Sequence, residues 1–526
     1  MTSRNLAMVH PNFLEANKLL NRSLEIAQTL GDQRSLARAW SDLGSWYFRN
    51  PKITGVGENG TLLADFRYQE TLEAFRKALT ISRELGLRLE ESQALRNLGQ
   101  VYERTGDIAE AFNHFWESLE IARELNNPET EADVLLSLSS FYRSLNINNE
   151  DGSQAELIES LVKDAENFLL EALSNLDFLR GENLSEVNKV ALFETQRDIY
   201  VTLQQVLLSQ ERIEEALVAS ERARARVLVE SLTSQMLEKT EQEILNTIPD
   251  LDTIRKTAQT QNATLVNYAI TGSTLHIWVV PPTGEIKYES VQLVSNTPQS
   301  RPVETETGKI TFEPLPSEGE SLQSLIADTR ETFGVRGSRD RATVTIQYSS
   351  EYLAQLKARQ NQRLSELHKL LIEPISEYLP DNPDEIVVFI PQDELFLVPF
   401  PALQDADGTH LIEKHTIVTA PSIQVLHITQ DIAQSRPDQS IQKPIIVGNP
   451  TMPSVTFIED SGNFKDIQLA SLSGAQREAQ TIANLLQTPA LIGSEATEAA
   501  IKQHLSDAGL IHFATHGLLE YGGPRE

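Results

Sequence analysis

The chain has 526 residues, of which 40% are hydrophobic, enough to give each of roughly two to four domains its own core. Its net charge of −30 is spread along the sequence, which argues against a broad nucleic-acid-binding surface. The N-terminus lacks the apolar run of a signal peptide and no segment approaches the roughly 18 apolar residues of a membrane span, so a cytoplasmic location is predicted. The absence of cysteine excludes disulfides, thiolate metal sites and thiol catalysis by these residues.

The first half of the chain repeats a short helical pattern. The pattern Trp-x-x-Leu-Gly-x-x-Tyr occurs at residues 40–47. A second copy at residues 95–102 begins with Leu instead of Trp, and a third copy at residues 135–142 begins with Leu and has Ser instead of Gly. The pattern resembles the first-helix signature of the tetratricopeptide repeat, a helix–turn–helix unit. Each helix pair leaves an apolar stripe that only stacking buries, so the first half is predicted to be an α-solenoid whose concave surface binds a peptide or protein partner.

Four repeat units are predicted, near residues 13–80, 90–127, 130–180 and 186–237. The glycine-containing stretch 50–60 is interpreted as a loop inserted into the first unit. In the last unit, arginines at positions 222, 224 and 226 have two interpretations, an anion-binding patch or a solvated helix face. The solvated face is expected, because on a helix these side chains splay over about half the circumference.

The pattern changes from helical to strand-like after residue 263. Three β-rich runs, at 264–270, 274–280 and 286–293, are separated by turn residues and predict an antiparallel meander. Residues 295–342 are predicted to be a mobile insertion, and a helix is expected over 364–379.

Five short apolar runs follow, at 386–390, 395–398, 416–419, 445–447 and 510–514. Several do not alternate with polar residues, as expected for strands covered on both faces. With helices predicted over 475–486 and 496–505, the second half reads as an α/β domain with a largely parallel sheet. Sites in such sheets form at the carboxyl ends of strands, and His516 lies two residues beyond the last run.

The motif Ile511-His-Phe-Ala-Thr-His-Gly517 allows three interpretations. His512 and His516 have the spacing of a helical zinc site, but Phe513 stands where the general-base glutamate belongs and the run reads as a strand. A structural histidine fits His512 better than His516. A histidine at a strand end followed by glycine suits a thiol peptidase, which needs a free imidazole and an unobstructed backbone N–H. Nucleotide hydrolysis has little support, since no phosphate-loop pattern is present.

The second half resembles a CHAT domain, a caspase-like cysteine peptidase domain often joined to tetratricopeptide repeats. The matching stretches, in order, are Leu371–Ile375, Ile390–Pro391, Leu397–Leu403, Leu411–Glu413, Ala420–Ser422, Val447–Pro450, Gly474–Ala479, Gly493–Glu498 and Ile511–Gly517. The resemblance implies a fold of class α + α/β: a repeat solenoid over residues 1–240, then an incomplete caspase-like α/β domain over 260–526 with a largely parallel sheet. Asp393 occupies a turn position that is usually glycine in the family, and Asp tolerates that conformation better than most residues.

The resemblance also implies roles for site residues. His516 corresponds to the catalytic histidine, and the Gly517 N–H to an oxyanion-hole donor, with no metal or organic cofactor. The nucleophilic cysteine would follow on the next parallel strand, so the chain is expected to stop one strand short of it and to be inactive as given. The predicted function is a repeat-scaffolded cysteine endopeptidase acting on protein substrates. The alternative is a non-catalytic protein-binding scaffold with a degenerate CHAT domain.

Overall fold

The computed structural model describes residues 13–50, 52–56, 62–65, 67–145, 155–180, 186–224, 249–294, 300–304, 310–314, 321–332, 350–435, 444–458, 464–505 and 508–516. The chain forms two compact units. The first comprises residues 1–340 and 347–430, and the second comprises residues 341–346 and 431–526. Each unit is described by itself below.

Within its described residues up to position 224, the first unit has nine helices: α1 Phe13–Leu30, α2 Gln33–Arg49, α3 Tyr68–Glu84, α4 Arg88–Thr105, α5 Ile108–Glu124, α6 Pro128–Ser144, α7 Ala155–Arg180, α8 Glu186–Ser209 and α9 Ile213–Arg222. Helices α2 and α3, α4 and α5, α6 and α7, and α8 and α9 pack as pairs, and successive pairs stack. The three copies of the sequence pattern lie on α2, α4 and α6, so the predicted helical repeat is confirmed. The stretch predicted as an inserted loop contains β1 Lys52–Val56, which pairs antiparallel with β2 Leu62–Asp65 just beyond that stretch.

The pattern glycines allow the two helices of a pair to touch. A Cβ atom built on Gly44 would lie 2.7 Å from the ring of Phe75, and one built on Gly99 would lie 2.7 Å from the ring of Phe115. Both rings are fully buried, so neither has free space into which to move. Glycine therefore occupies this position of the pattern because the two helices of a pair approach each other closely there.

The 40-residue period also appears in the ion pairs between units. The Nε of Arg83 lies 2.9 Å from Oε1 of Glu91, and the Nε of Arg123 lies 2.9 Å from Oε1 of Glu131. In each case the arginine ends the second helix of one pair and the glutamate begins the first helix of the next pair. Equivalent positions thus make the same connection in successive units.

A mixed sheet follows helix α10 Leu251–Gln261. Its strands are β3 Ala263–Thr271, β4 Thr274–Val280, β5 Lys287–Gln292, β8 Ile386–Ile390 and β9 Thr416–Thr419, in the order β5-β4-β3-β8-β9. Strands β3, β4 and β5 form the predicted antiparallel meander, whereas β3, β8 and β9 are parallel. The helical first half followed by α/β structure confirms the predicted fold class.

Between β5 and β9 lie the hairpin β6 Ser300–Glu304 and β7 Ile310–Pro314, and helices α11 Leu322–Thr332 and α12 Ser350–Leu371. The described residues of this region also include 3-10 turns at Glu373–Tyr378, Asp393–Leu397 and Phe400–Ala402, and the short helix α13 Leu411–Lys414. Helix α11, which the sequence did not predict, buries Leu325 and Ile326 in the core beneath the sheet. The mobility predicted for 295–342 stays a prediction; residues 295–299, 305–309, 315–320 and 333–349 lie outside the described residues.

The apolar run at 395–398 was predicted to be a strand, and this is wrong. Residues 395–397 belong to a 3-10 turn in which Leu395 is buried while Phe396 is 47% exposed. Asp393, at the start of the turn, has φ of 47°, a left-handed conformation. The expectation that Asp393 occupies a glycine-like turn position is therefore consistent with its backbone.

A buried carboxylate joins the last repeat helix to the sheet region of the first unit. Glu221, at the end of α9, is fully buried. Its Oε2 accepts hydrogen bonds from the N–H of Ile423 at 2.7 Å and of Gln424 at 3.4 Å, in the first turn of α14 Ile423–Ser435. Its Oε1 accepts from Nδ2 of Asn267, on β3, at 2.5 Å. Burial raises the pKa of Glu221, and the positive charge of Arg224 opposes that shift.

Arg224 is the cationic partner in this buried network. Its side chain is only 8% exposed, and its Nε lies 4.0 Å from Oε1 of Glu221. Its Nη1 donates to the carbonyl oxygens of Ile390, 3.2 Å away, and Pro391, 2.7 Å away, at the carboxyl end of β8. The solvated-helix prediction is therefore wrong for Arg224; Arg226 lies outside the described residues.

Two further contacts link the last helix pair to the sheet and to the turn that follows β8. Arg197, on α8, donates from Nη2 to both carboxylate oxygens of Asp393, at 2.9 and 2.7 Å. The indole N–H of the fully buried Trp278 donates to the carbonyl oxygen of Ile213, 3.1 Å away. One apolar core runs continuously from the repeat helices into the sheet. The predicted domain limits at residues 240 and 260 stay predictions, because residues 225–248 lie outside the described residues.

In the second unit, the described strands include a parallel sheet with the order β13-β10-β14. Its elements are β10 Ile445–Pro450, the hairpin β11 Ser454–Ile458 and β12 Phe464–Gln468, α15 Ser473–Leu485, β13 Ala490–Gly493, α16 Glu498–Leu505 and β14 Ile511–Ala514. Helix α15 packs directly on the sheet. A Cβ atom on Gly448 would lie 2.3 Å from the Cβ of Ala479 and 2.9 Å from the carbonyl oxygen of Ala475. Among the described residues no helix is both long and apolar enough to cross a bilayer.

We expect Gly99→Ala to lower the free energy of unfolding by about 1–3 kcal/mol, because the new methyl group meets the buried ring of Phe115. The measurement is urea-induced unfolding followed by circular dichroism. Gly474→Ala is the matched control, since no atom lies within 4 Å of its Cβ position. Equal effects of the two substitutions would contradict the close-approach explanation.

We expect Glu221→Gln to cost about 3–5 kcal/mol of stability, because it leaves the guanidinium of Arg224 buried without its counter-charge. The free energy of urea-induced unfolding measures the effect. Glu214→Gln is the control: its carboxylate, 47% exposed, lies 2.7 Å from Arg255, and losing such a surface pair costs at most about 1 kcal/mol. A small effect at Glu221 would show that the buried charge is dispensable.

Candidate functional site

Strand β14 carries both histidines of the terminal motif to one region of the second unit. His512 lies within the strand and pairs in register with Ile446 of β10, whereas His516 follows the strand by two residues. Gly448 of β10 pairs with Ala514, the last residue of β14. Because the strands are parallel, His516 and the residues that follow Gly448 lie at the same, carboxyl, edge of the sheet. This is the edge at which the sequence placed the candidate site.

The imidazole of His516 is fixed by a backbone carbonyl. Its Nε2 lies 2.8 Å from the carbonyl oxygen of Ala470. A carbonyl oxygen only accepts hydrogen bonds, so the proton of the neutral ring sits on Nε2 and donates to Ala470. Nδ1 is then the unprotonated nitrogen, with a lone pair that accepts a proton. The contact therefore selects the tautomer in which Nδ1 acts as the base.

The loop that contains Ala470 is held by Asn449. The Oδ1 of Asn449 accepts from the N–H of Leu472 at 2.7 Å and from the hydroxyl of Ser471 at 3.1 Å. Its Nδ2 donates to Oε1 of Gln476, 3.2 Å away, in the first turn of α15. Asn449 has φ of 45°, which Asn adopts more readily than most side chains. This side chain thus joins the end of β10 to the loop that orients His516.

His512 has a different partner. Its Nε2 lies 3.0 Å from Oε1 of Glu478 on α15, and its side chain is 28% exposed. The two Nε2 atoms therefore contact separate groups, a carboxylate and a carbonyl, which does not resemble shared metal ligation. Within the described ranges, no three His, Asp or Glu side chains come together as a metal site. The structural interpretation suits His512, as the sequence indicated.

Gly517, the expected oxyanion-hole donor, lies outside the described residues, so its role stays a prediction. Sequence reasoning did not assign functions to Asn449 and Ala470. The signal for Asn449 was available, because Val447-Gly448-Asn449-Pro450 combines a glycine and an asparagine at a strand end. Nothing in the sequence identified Ala470, since only its backbone carbonyl contacts His516 and every residue has such a carbonyl.

Two family models match the chain. The model for the CHAT domain matches residues 361–526, and the model for the tetratricopeptide repeat matches residues 60–124. This chain carries tetratricopeptide repeats and a C-terminal CHAT domain. The resemblance found from the motifs is thereby confirmed, and His516 falls inside the CHAT match.

The chain is similar to tetratricopeptide repeat protein 28 of two mammals. It is 24% identical to the Mus musculus protein over 427 residues, covering 68% of this chain, and 23% identical to the Homo sapiens protein over 428 residues, again covering 68%. In both cases the match spans 17% of the length of the relative. Among solved structures, BtubC (BKLC) from P. vanneervenii is 20% identical, with 42% of this chain and 75% of that chain covered and a TM-score of 0.30.

We expect Asn449→Ala to release the 469–472 loop and thereby His516. With ¹⁵N-labelled histidine, the wild-type His516 signal should show the Nε2-protonated tautomer, and Asn449→Ala should convert it to a tautomer mixture. The signal is assigned among the ten histidines by its loss in His516→Gln. Asn449→Asp, which keeps the accepting Oδ1 and tolerates the left-handed backbone, should preserve most of the wild-type pattern. An unchanged tautomer in Asn449→Ala would show that the loop needs no anchor.

Proposed function

We propose that this polypeptide supplies the histidine of a caspase-like cysteine peptidase whose repeat array recruits a protein partner. One observation carries the proposal: the Ala470 carbonyl holds Nε2 of His516, so Nδ1 is the basic nitrogen, at the carboxyl edge of a parallel sheet. A fixed tautomer with a free lone pair is what a general base for a thiol requires. The CHAT match over the same residues supports this assignment.

The proposed reaction is peptide-bond hydrolysis by acyl transfer. Nδ1 of His516 takes the proton of a cysteine thiol, and the thiolate attacks the peptide carbonyl carbon to form a C–S bond. As the C–N bond breaks, the imidazolium returns its proton to the leaving amine; water then hydrolyses the thioester. The Gly517 N–H is the expected donor to the tetrahedral oxyanion. The 526 residues contain no cysteine, so the thiol must come from other residues, and the chain alone is expected to be inactive.

The repeat array is the proposed recruiting surface. Repeats of this class generally mediate contacts between proteins, and stacked helix pairs present an extended surface for a peptide or a folded partner. We place the array at residues 1–240 and the catalytic domain at 260–526, in the cytoplasm, without metal or organic cofactors. The substrate is a protein whose side-chain preference depends on the pocket around the missing thiol.

A non-catalytic scaffold is the second candidate, and one observation favours it: these 526 residues hold no thiol nucleophile. On this alternative the array binds partners, and the CHAT domain is a degenerate structural module. The contact between His512 and Glu478, together with the Asn449 network, would then serve stability alone.

The deciding experiment uses the longest polypeptide encoded by the reading frame, incubated with a library of peptides and analysed by mass spectrometry. If the proposal holds, that product contains a cysteine on a strand of the CHAT domain and cleaves peptides. His516→Ala should then lower cleavage by at least about 10²-fold, because the proton acceptor is lost.

His512→Ala is the matched control. Its imidazole contacts Glu478, so cleavage should stay within about tenfold of wild type while stability falls. The 526-residue chain should match the His516→Ala variant in background activity. If the full product has no cysteine, or cleaves nothing although it is folded, the scaffold function replaces the peptidase function.

A further inference from the structure

An apolar surface lies across the second helices of two successive units, α5 and α7, and the first helix between them, α6. Phe112 and Trp116 of α5, Phe168 of α7 and Tyr142 of α6 form a continuous run of rings. The ring centroids are 5.9 Å apart for Phe112 and Trp116, 6.1 Å for Trp116 and Phe168, and 5.3 Å for Tyr142 and Phe168. Trp116, Tyr142 and Phe168 are partly buried against the core and form the floor of the surface.

Exposed apolar side chains extend this floor along both helices. Ile108 and Phe112 precede Trp116 by two turns and one turn of α5, and they are 46% and 43% exposed. Leu157, which is 50% exposed, precedes Phe168 by three turns on the same face of α7. Contiguous exposed apolar groups of this size mark sites of interaction with other proteins. The six residues 108, 112, 116, 142, 157 and 168 are called the α5–α7 surface below.

The exposed residues of the two helices lie toward the same end of this surface. Helix α5 meets α7 at Trp116 with Phe168, and again at Arg123, whose Nη2 is 2.6 Å from Oε1 of Glu171. The contacts advance along both helices together, so the two helices run in the same direction. A groove between them can therefore receive one further helix along its length.

The preceding interface has polar groups at the equivalent places. The position 40 residues before Trp116 is Arg76, whose Nη2 donates to the hydroxyl of Tyr102 at 2.6 Å. The ring that meets Tyr102 is His114, at 5.1 Å, whereas Phe168 meets the tyrosine of the next unit. The repeat therefore tolerates polar side chains here, and its packing alone does not require the aromatic ones.

The charged residues that continue the two apolar stripes are acidic. Asp164 lies one turn before Phe168 on α7, and the exposed Glu120 lies one turn after Trp116 on α5. Burial raises the pKa of Tyr142, and the negative charge of Asp164 raises it further, which places this carboxylate beside the floor of the surface. A partner that complements the surface is thus apolar with a positive charge among its apolar groups.

The chemistry of the surface also determines the conformation of the partner. Its apolar side chains offer no hydrogen bonds to the backbone of a bound peptide, so the backbone N–H and C=O groups of that peptide must pair with each other. A helix meets this condition, and its side chains three and four residues apart match the one-turn spacing of Ile108, Phe112 and Trp116.

We propose that the α5–α7 surface binds an amphipathic helix of a partner protein. Apolar side chains of that helix pack on the rings, and a lysine or arginine between them pairs with Asp164. This proposal rests on the recruiting role proposed for the array and is independent of the peptidase chemistry. It assigns recruitment to the second helices of two units.

The test is a selection of displayed random 18-residue peptides, each about 27 Å long as a helix, on the full 526-residue chain. Counter-selection uses the variant I108Q/F112Q, and the buffer contains about 0.15 M salt, which screens attraction by net charge alone. We expect enriched peptides with apolar residues at helical spacing and at least one lysine or arginine. Fluorescence anisotropy of labelled peptides should show saturation by about 100 µM chain.

Matched variants separate this surface from others. I108Q/F112Q replaces two exposed side chains by a good helix former, and peptide affinity should fall by about tenfold or more. L30Q/L85Q is the control: these leucines, 75% and 47% exposed at the ends of α1 and α3, lie outside the surface, so affinity should equal that of wild type. D164N should weaken binding by about two- to fivefold, and only for peptides that retain their basic residue.

Three results would overturn the proposal. The first is a selection that enriches no peptide able to distinguish wild type from I108Q/F112Q. The second is wild-type affinity in both I108Q/F112Q and D164N, which would leave the recruiting role intact but place it on another surface. The third is dimerisation of the wild-type chain, measured by sedimentation and abolished in I108Q/F112Q, which would show that a second copy occupies the surface. If circular dichroism shows that I108Q/F112Q is unfolded, D164N decides between wild-type and reduced affinity.

Discussion

The first unit depends on a buried pair of opposite charges, Glu221 and Arg224. Removing a single ion from water costs several kcal/mol even after relaxation, so both side chains need several partners. Glu221 receives the N–H groups that open α14, and Arg224 donates to the carbonyl groups that close β8. The end of the repeat array is thereby fixed to two points of the sheet region. A shift of α9 that separated these groups would leave charges buried without partners, which makes the junction stiff.

The repeat array shows how a shared backbone carries different chemistry. Its period is maintained by contacts that recur every 40 residues, such as Arg83 with Glu91 and Arg123 with Glu131. Glycine at the close approach performs the same task in the first two units. The side chains in the interior of each interface vary from one unit to the next.

The second unit separates two histidines that are four residues apart. Glu478 contacts His512 on the face of the strand covered by α15, whereas His516 lies beyond the strand end and contacts only a backbone carbonyl among its described hydrogen-bond partners. The Asn449 network fixes that carbonyl from a neighbouring strand. A backbone carbonyl thus positions the imidazole of His516 through Nε2, and Nδ1 stays available to accept a proton.

The sequence by itself determined the helical repeats, the antiparallel meander, the parallel strands and the placement of His516 at a strand end. These features follow from local periodicity and turn residues. It failed at 395–398, where an apolar run forms a 3-10 turn, and at Arg224, where an exposed helix face was expected. Both failures concern burial, which depends on segments distant in sequence. Only the tertiary structure decided which nitrogen of His516 is protonated. Every residue has a backbone carbonyl, so the sequence does not single out that of Ala470, which selects the tautomer only through its position beside the imidazole.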